Sequence, residues 1–196
     1  MMFSQLTMDI ARRPAAHLLS ALINTVPVVQ MSGPHDAEVA GITTDSRRVS
    51  DRWMFVAVSG EHTDGHDHVQ QAIERGASVV VVQLSAYRKK LKSLLSASYS
   101  QHNATTIVIV QDTRVAVAQL AEQFYGSPAK KLLLVGVTGT NGKTTTSFLV
   151  KSILEKSGRK TGLIGTIEYH IGKTVIPARF TTPPAEELHR ILAEMV

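Results

Sequence analysis

The sequence contains no cysteine, which excludes disulfide bonds, a thiolate nucleophile and any metal held by cysteine. No apolar run reaches the roughly 18 residues that a membrane-spanning helix needs. Aromatic residues make up only 5% and show none of the stacking pattern of proteins that bind single-stranded nucleic acids. The first ten residues carry no basic segment followed by an apolar core. We therefore expect a cytoplasmic protein with no signal peptide and no membrane contact.

The composition is that of a globular protein of one large or two small domains, with 196 residues, 43% apolar, 19% charged and a mean hydropathy of +0.03. The net charge of +5 is spread along the chain. Its densest cluster comprises Arg88, Lys89, Lys90 and Lys92. We expect small anionic ligands such as phosphates and no nucleic acid; nucleic-acid binding is a weaker alternative that steep salt dependence would reveal.

Strands and helices alternate in the residues up to about Pro128, which predicts an α/β domain. The predicted strands are Val39–Thr43, Trp53–Val58, Val79–Val82 and Thr106–Val110. The predicted helices are Arg13–Ile23, Asp67–Arg75, Ser85–Leu95 and Arg114–Phe124, and Ser96–Asn103 is predicted as a polar loop.

Tyr125-Gly-Ser-Pro128 ends a helix and predicts a linker, so we divide the chain into domains 1–128 and 129–196. The second domain opens with an apolar run that is typical of a strand buried on both faces. The predicted elements there are the strand Lys131–Val137, the helix Lys143–Ser157, the strand Thr161–Gly165, the hairpin Glu168–Val175 and the helix Pro184–Val196.

The segment Gly136-Val-Thr-Gly-Thr-Asn-Gly-Lys-Thr-Thr145 lies between that strand and a helix, which is the context of a phosphate-binding loop. Glycines let successive backbone N–H groups point at phosphate oxygens, and the helix N-terminus adds partial positive charge. Lys143 is predicted to reach the β- and γ-phosphates and Thr144 to ligate Mg²⁺. Val137 stands where the strict phosphate-loop pattern, G-x-x-x-x-G-K-[ST], has its first glycine. The alternative is a glycine-rich helix start that binds no phosphate.

No carboxylate after Lys143 follows an apolar strand in the way that a metal-binding ATPase or kinase needs, so the nucleotide site is predicted to be incomplete. The form Gly139-Thr-Asn-Gly-Lys-Thr-Thr145 resembles the ATP-binding loop of the Mur ligases, with which folylpolyglutamate and cyanophycin synthetases share similar loops. The resemblance implies ATP and Mg²⁺ as cofactors and assigns ATP binding to Gly139, Thr140, Asn141, Gly142, Lys143, Thr144 and Thr145.

Three segments of the first domain extend the resemblance: Thr43-Thr-Asp-Ser-Arg-Arg-Val49, Met54-Phe-Val-Ala-Val58 and Gly60-Glu-His-Thr-Asp-Gly-His66. They are similar to the uridine-nucleotide domain of the Mur ligases that add the third residue or the D-Ala-D-Ala dipeptide. The resemblance implies that the precursor substrate contacts Thr44, Ser46, Glu61, His62 and Thr63. From the residues alone, Asp45 and Ser46 predict a capped turn, and Arg47 or Arg48 could neutralise phosphate charge.

A metal site is a more specific alternative to substrate binding for the loop after Val58. Imidazole and carboxylate suit zinc or manganese, and the loop contains His62, Asp64, His66, Asp67 and His68. We consider the metal site the less favoured interpretation, because side chains that are neighbours in a loop need not point at one ion. The simplest interpretation is a polar loop that joins two elements and binds no ligand.

Gly162-Leu-Ile-Gly-Thr166 followed by Phe180-Thr-Thr-Pro183 resembles the third-residue branch of the family more than the dipeptide-adding branch. The resemblance implies that Thr181 and Thr182 contact the muramoyl peptide. From the residues alone, Thr182 is also predicted as the N-cap of the last helix, with prolines in its first turn.

The resemblance implies an N-terminal uridine-nucleotide-binding α/β domain followed by the start of a P-loop ATPase domain. The activity implied is ATP-dependent addition of diaminopimelate or L-lysine to UDP-MurNAc-L-Ala-D-Glu through an acyl phosphate, with Lys143 as the catalytic residue. A full family member continues further, so we expect a truncated or split ligase, with a separately encoded C-terminal half as one partner. The alternatives are a binding module for UDP-sugar and ATP without ligase activity, or the dipeptide-adding ligase.

Overall fold

A computed structural model describes residues 15–60, 63–92, 105–178 and 180–196. The chain divides into a first unit ending at Phe124 and a second unit of Tyr125–Val196. The predicted boundary at Pro128 falls four residues after this division. None of the helices in the described ranges is long and apolar enough to cross a membrane.

The strands of the first unit are β1 His17–Leu18, β2 Val28–Ser32, β3 Glu38–Val39, β4 Gly41–Thr43, β5 Trp53–Val56, β6 Ala77–Gln83 and β7 Thr106–Val110. Five of them form one sheet in the order β2-β7-β6-β5-β4. The four strands β4 to β7 run parallel, and β2 adds an antiparallel edge. β1 and β3 form a separate short antiparallel pair beside this sheet.

Four consecutive valines explain the central place of β6, because Val79 to Val82 are all buried. A strand whose successive side chains point to opposite faces can bury all of them only if both faces of the sheet are covered. Val80 and Val82 pack in one core cluster with Ala72 and Ile73 of a helix. The helices of this unit are α1 Leu19–Leu22, α2 Val69–Glu74, α3 Leu84–Ala86, which continues as a π-turn over Tyr87–Leu91, and α4 Thr113–Phe124.

Most predicted elements of the first unit are confirmed to within a few residues, and the α/β class is confirmed. The helix predicted over Arg13–Ile23 is confirmed only at Leu19–Leu22: Arg13 and Pro14 lie outside the described residues, His17–Leu18 form a strand, and a 3-10 turn follows at Ile23–Thr25. Pairing of His17 with Val39 draws this segment out of the helix. The strand Val28–Ser32 was not predicted. The loop Ser96–Asn103 lies outside the described residues.

The second unit contains a three-stranded antiparallel sheet and two helices. Its strands are β8 Gly162–Ile164, β9 Glu168–Ile171 and β10 Thr174–Pro177, and its helices are α5 Lys143–Lys156 and α6 Ala185–Met195. The predicted hairpin is confirmed, with Gly172 in its turn. Ile191 and Leu192 of α6 join Leu163 and Tyr169 of the sheet among the buried side chains of this unit.

The buried strand predicted over Lys131–Val137 is wrong. Pro128–Lys131 form a 3-10 turn, and residues 133–138 have no regular secondary structure and belong to none of the sheets in the described part of the chain. Leu133 is 86% exposed. A strand buried on both faces needs neighbouring strands and covering helices. The three strands of this unit, β8 to β10, pair only with one another, so the segment has no strand beside it.

Candidate functional site

The predicted substrate residues of the first unit follow parallel strands. Thr44 and Ser46 come directly after β4, and Thr63 lies in the loop after β5. The carboxyl ends of parallel strands meet at one edge of a sheet, and ligands of open α/β sheets bind outside that edge. The topology therefore brings Thr44, Ser46 and Thr63 to the same edge of the sheet. Glu61 and His62 lie outside the described residues.

The turn after β4 is capped by its own aspartate. The Asp45 carboxylate accepts hydrogen bonds from the backbone N–H of Arg47 at 3.0 Å and from the guanidinium of the same residue at 2.9 and 2.8 Å. This bidentate pairing lowers the pKa of Asp45. The Ser46 hydroxyl is buried and donates to Gln71 Oε1 at 2.7 Å. Arg47 and Ser46 are thus both engaged within the unit, and the capped turn predicted from the residues is present.

The loop after β5 is held from inside by a buried histidine. His66 is 1% exposed, and its Nε2 accepts a hydrogen bond from the backbone N–H of Gln83 at 3.0 Å. Because a backbone N–H can only donate, the proton of a neutral ring lies on Nδ1. Nδ1 lies 2.6 Å from Asp64 Oδ1 and donates to it. Asp64 also accepts a hydrogen bond from the Ser59 hydroxyl at 2.9 Å, which closes the loop on itself.

Two cations bind the same loop from other elements. The Lys90 ammonium donates to Asp64 Oδ2 at 2.7 Å and to Asp67 Oδ1 at 2.5 Å. Arg114, in the first turn of α4, donates to the backbone oxygen of Ser59 at 2.6 Å. Partial burial pulls the pKa of Asp64 upward, but hydrogen bonds from Lys90 and His66 outweigh it and hold that pKa well below its usual range.

The polar residues of this loop act as a structural network. In the part of the chain that the structure describes, no three histidine or carboxylate side chains are grouped to hold a metal ion. His66 uses both ring nitrogens within the protein. The anchoring roles of Lys90 and Arg114 were missed in the sequence, although Lys90 was visible as part of a basic cluster. Nothing in the sequence marked Arg114.

The phosphate-loop residues of the second unit form an open turn that enters α5. Gly139 and Gly142 have φ angles of +150° and +78°, which side chains disfavour. No side chain caps the start of α5, so its first N–H groups are not occupied by a capping oxygen. The ladder of the helix starts with the N–H of Thr146 donating to the Gly142 oxygen at 2.9 Å. This free N-terminus is a suitable place for an anion.

Lys143 lies over this turn. Its ammonium donates to the backbone oxygens of Gly139 at 2.6 Å and of Thr140 at 3.3 Å. The side chain therefore curls back along the loop that precedes it. Bound phosphate would offer the same ammonium charged acceptors in place of the two carbonyls.

The residues fit a nucleotide phosphate and its magnesium ion in chemical type. The loop offers glycine backbone, an uncapped helix start, an ammonium and the hydroxyl of Thr144. Mg²⁺ takes carboxylates, phosphate oxygens and water as ligands, so the Thr144 hydroxyl would supply one ligand of its shell, and residues 139–145 contain no carboxylate to supply another. Asn141 and Thr145 are exposed at the same turn.

The predicted muramoyl-peptide residues lie on an exposed segment that the β9 strand anchors. The Tyr169 hydroxyl donates to the backbone oxygen of Phe180 at 2.7 Å, directly before Thr181 and Thr182. Both threonines are exposed. The prediction of Thr182 as an N-cap is wrong: α6 begins at Ala185, its N-cap is Pro184 and no side chain caps it. The N-cap thus lies two residues later than predicted, and the helix, predicted to start at Pro184, starts one residue later.

Two family models match the chain. The model described as the Mur ligase family, catalytic domain, matches residues 38–125, and the Mur ligase middle domain matches residues 137–196. The first covers β3 to α4 and their loops, and the second begins beside the phosphate loop.

The curated relatives are longer proteins. A UDP-N-acetylmuramoyl-L-alanyl-D-glutamate–2,6-diaminopimelate ligase of Cytophaga hutchinsonii is 42% identical over 175 residues, which are 89% of this chain and 34% of the relative. Ligases of the same name from Alkaliphilus metalliredigens and Aquifex aeolicus are both 40% identical, over 90% and 80% of this chain and 33% and 29% of their own length. The chain thus spans about a third of the length of these relatives.

Solved structures share the fold. A structure of a UDP-N-acetylmuramoyl-L-alanyl-D-glutamate–2,6-diaminopimelate ligase aligns with a TM-score of 0.59 at 18% identity, over 92% of this chain and 33% of that chain. A D-alanyl-D-alanyl-adding ligase from Acinetobacter baumannii aligns with a TM-score of 0.55 at 22% identity, over 93% and 34%. At these identities the alignments establish the fold alone.

Proposed function

Because the chain belongs to the Mur ligase family, we propose that it carries the precursor-binding domain and the phosphate loop of an ATP-dependent amide ligase. The proposed ligase adds 2,6-diaminopimelate, or L-lysine, to UDP-MurNAc-L-Ala-D-Glu in peptidoglycan precursor synthesis. The names of the curated relatives favour diaminopimelate. ATP as a reactant places the proposed reaction in the cytoplasm.

The observation that carries this proposal is the continuity of the match across both units. The first unit matches the catalytic-domain model, and the phosphate loop lies just inside the middle-domain match. A phosphate loop by itself names no reaction, since many chemistries use it. The same loop joined to a Mur ligase N-terminal unit in one chain supports the proposal of amide-bond formation on a nucleotide-linked precursor.

The first unit is proposed to hold the uridine end of the precursor at the carboxyl edge of its sheet. Thr44, Ser46 and Thr63 lie at that edge, and Glu61 and His62 belong to the same loop in sequence. The anchoring network around Asp64 limits the motion of the loop, which reduces the entropy that binding would cost. Binding energy gained far from the reacting carboxylate can orient it for reaction.

The second unit is proposed to bind ATP at residues 139–145. The precursor carboxylate attacks the γ-phosphorus, the bond to ADP breaks, and an acyl phosphate forms. The amine of the incoming amino acid then attacks the acyl carbon, loses a proton, and releases inorganic phosphate as the amide forms. Lys143 donates to phosphoryl oxygens as their charge develops, and Thr144 would hold Mg²⁺, which supplies further charge neutralisation. Thr181 and Thr182 are proposed to contact the muramoyl peptide.

A binding module for UDP-sugar and ATP is the second candidate. The observation that favours it is that the candidate residues of both units account for binding of the two ligands, while a phosphate loop by itself names no reaction. Such a module would bind both nucleotides and form no amide bond. The two candidates therefore differ in catalysis and agree in binding.

A chimera separates the candidates. The 196-residue chain would replace the matched region of the Cytophaga hutchinsonii relative, with which it is 42% identical. With ATP, Mg²⁺, UDP-MurNAc-L-Ala-D-Glu and diaminopimelate, we expect the UDP-MurNAc-tripeptide by mass spectrometry and one phosphate released for each amide formed. The Lys143→Ala chimera should form little product, and Lys156→Ala, at the far end of the same helix, should match the unaltered chimera.

A folded chimera that binds ATP but forms no tripeptide would contradict the ligase proposal and favour the binding module. Product formed from L-lysine in preference to diaminopimelate would change the proposed amino acid and leave the reaction class unchanged.

A further inference from the structure

Cationic side chains follow three of the parallel strands of the first unit, and a bound diphosphate would need such charges nearby. Two of these side chains donate hydrogen bonds to the loop after β5, namely Lys90 and Arg114. The cations are Arg47 and Arg48 after β4, the basic cluster of Arg88, Lys89, Lys90 and Lys92 after β6, and Arg114 after β7.

The two arginines after β4 lead away from this loop. The Arg47 guanidinium is paired with Asp45, and its backbone oxygen accepts a hydrogen bond at 3.1 Å from Arg75, the residue directly after α2. Because α2 joins the end of β5 to the start of the parallel strand β6, Arg75 lies toward the amino ends of the strands. The chain from Arg47 through Arg48 leads in the same direction, to the start of β5.

The charge of Lys90 is already offset. Its ammonium lies 2.7 Å from Asp64 Oδ2 and 2.5 Å from Asp67 Oδ1. If Lys90 turned to an anionic ligand, both carboxylates would lose a charged hydrogen-bond donor, at a cost in stability. Lys90 therefore acts within the network that anchors the loop.

The Arg114 guanidinium carries a charge that no carboxylate of the described residues offsets. Its Nη2 donates to the neutral backbone oxygen of Ser59 at 2.6 Å, and the residue is exposed. The carboxylate of Asp112 instead caps α4, accepting from the backbone N–H groups of Arg114 at 2.7 Å and Val115 at 3.3 Å. A guanidinium has several further N–H donors in a planar fork, so Arg114 can bind an anion without releasing Ser59.

Ser59 lies at the base of the candidate precursor loop. It forms an isolated antiparallel bridge with Asp64, and the backbone N–H of Gly60 donates to the Thr63 oxygen at 2.8 Å. The loop between them is therefore a tight turn. Arg114 thus holds its charge at the base of the short turn that carries Thr63, one of the candidate precursor residues.

We propose that Arg114 binds the diphosphate of the uridine nucleotide precursor through the open donors of its guanidinium. This inference rests on the proposed function, in which the precursor binds at the carboxyl edge of the sheet. Pairs of phosphate oxygens match the planar fork of a guanidinium. A neutral part of the precursor, such as the ribose, would gain less from this charge, because hydrogen bonds between charged groups are the stronger ones. Arg114 thereby makes the affinity of the first unit depend on the diphosphate.

The test compares UDP with uridine as ligands of the full 196-residue chain. Nuclear magnetic resonance titrations, followed at the backbone signals of Thr44 and Thr63, measure binding to the first unit. Arg114→Gln should weaken UDP binding about tenfold to a hundredfold, through the loss of charge-assisted hydrogen bonds, and change uridine affinity by less than about twofold. Arg114→Lys should lie between, since it keeps the charge and loses the fork.

Arg88→Gln is the matched control, because it makes the same change at another exposed arginine of the first unit. It should leave the affinities for UDP and uridine unchanged.

Salt separates phosphate binding from a purely structural role of Arg114. Added NaCl screens the attraction between the site and UDP, so the affinity of the unaltered chain should fall, and that of Arg114→Gln should fall less. Ser59→Ala removes the hydrogen bond of its hydroxyl to Asp64 and loosens the same loop without a change of charge. This variant should keep the salt dependence of the unaltered chain.

An Arg114→Gln chain that loses uridine affinity as much as UDP affinity, or keeps the full salt dependence, would overturn the proposal, since Arg114 would then only hold the loop. If circular dichroism shows that Arg114→Gln does not fold, Arg114→Lys decides between these outcomes. An equal loss of UDP and uridine affinity in that variant overturns the proposal, and a loss confined to UDP supports it.

The proposed function can fail separately. UDP binding that depends on Arg114, together with a chimera that forms no tripeptide, would support this inference and contradict the ligase reaction. Tripeptide formation that Arg114→Gln leaves unchanged, at limiting precursor concentration, would contradict this inference alone. An unaltered chain whose Thr44 and Thr63 signals respond to neither UDP nor uridine would contradict both this inference and the proposed precursor site.

Discussion

The backbone N–H of Gln83, at the end of β6, donates a hydrogen bond to Nε2 of the buried His66 at 3.0 Å. This bond joins the loop after β5 to the neighbouring parallel strand. It also determines the tautomer, since the proton of the neutral ring must then lie on Nδ1, which faces Asp64 at 2.6 Å. The candidate precursor loop is thus anchored to the centre of the sheet through one imidazole.

Replacement of this imidazole should destabilise the first unit. His66→Phe would leave the Gln83 N–H buried without an acceptor and would remove a donor to Asp64. We expect a loss of about 2–4 kcal/mol in the free energy of unfolding. Urea unfolding can be followed by the fluorescence of Trp53, the single tryptophan, which lies in the first unit.

His68→Ala is the control for this change, because His68 is exposed two residues away. It should alter the unfolding free energy by less than about 0.5 kcal/mol. A loss below about 1 kcal/mol for His66→Phe would show that the network around the ring contributes little.

The charge of Asp64 should make the stability of the first unit depend on pH in the acidic range. Its hydrogen bonds lower the pKa in the folded protein below the value of about 4 of an exposed aspartate. The stabilisation is therefore complete above about pH 4 and is lost as the pH falls through the folded pKa. Asp64→Asn should cost about 1–2 kcal/mol at pH 7, a value that allows for screening at this partly exposed site.

At pH 3 the difference in unfolding free energy between Asp64→Asn and the unaltered chain should shrink. The Asp64 carboxyl of the unfolded chain then binds a proton, while that of the folded chain stays ionised, so folding has to release this proton. Urea unfolding at both pH values, again with Trp53 fluorescence, measures this change. Equal differences at pH 7 and pH 3 would mean that the ionised carboxylate is not what stabilises the loop.

Lys143 should control ATP affinity. Its ammonium already lies over the loop, on the oxygens of Gly139 and Thr140. Loss of charge-assisted hydrogen bonds to phosphate costs about 1.5–3 kcal/mol, so Lys143→Ala should weaken ATP binding about tenfold to a hundredfold. Isothermal titration of the chain with Mg-ATP measures the affinity, and Lys156→Ala should leave it unchanged. Undiminished affinity of the Lys143→Ala chain would contradict the phosphate-loop assignment.

Gly41 should be intolerant of alanine for reasons of space. It lies opposite Trp53 in the parallel pair of β4 and β5, and an added Cβ would lie 2.5 Å from Cε2 of the indole. The ring would have to move within a packed sheet, at a cost of about 1–3 kcal/mol. Urea unfolding followed by circular dichroism measures it. Gly136→Ala, where a Cβ meets no atom within 4 Å, is the matched control and should be close to neutral.

Much of the first unit could be predicted from local patterns. The valine run of β6, the strand at Thr106–Val110 and the helix after it follow from apolar periodicity, which depends only on neighbours in sequence. The strand Val28–Ser32 was missed, because it is an edge strand whose pairing partner, β7, lies about 80 residues away in the sequence. His17–Leu18 were assigned to a helix for a similar reason, since pairing with β3 overrides their local preference.

The candidate site divides in the same way. The sequence by itself determined the glycine-rich entry to α5, the place of Lys143 and the likeness to the Mur ligases, because these depend on residues adjacent in the chain. The tertiary structure decided that His66 and Asp64 form an anchoring network, that Lys90 and Arg114 hold the same loop, and that the apolar segment after Pro128 lies exposed. Hydrogen bonds between distant elements and the presence or absence of packing partners determine these features, and neither is encoded in the order of neighbouring residues.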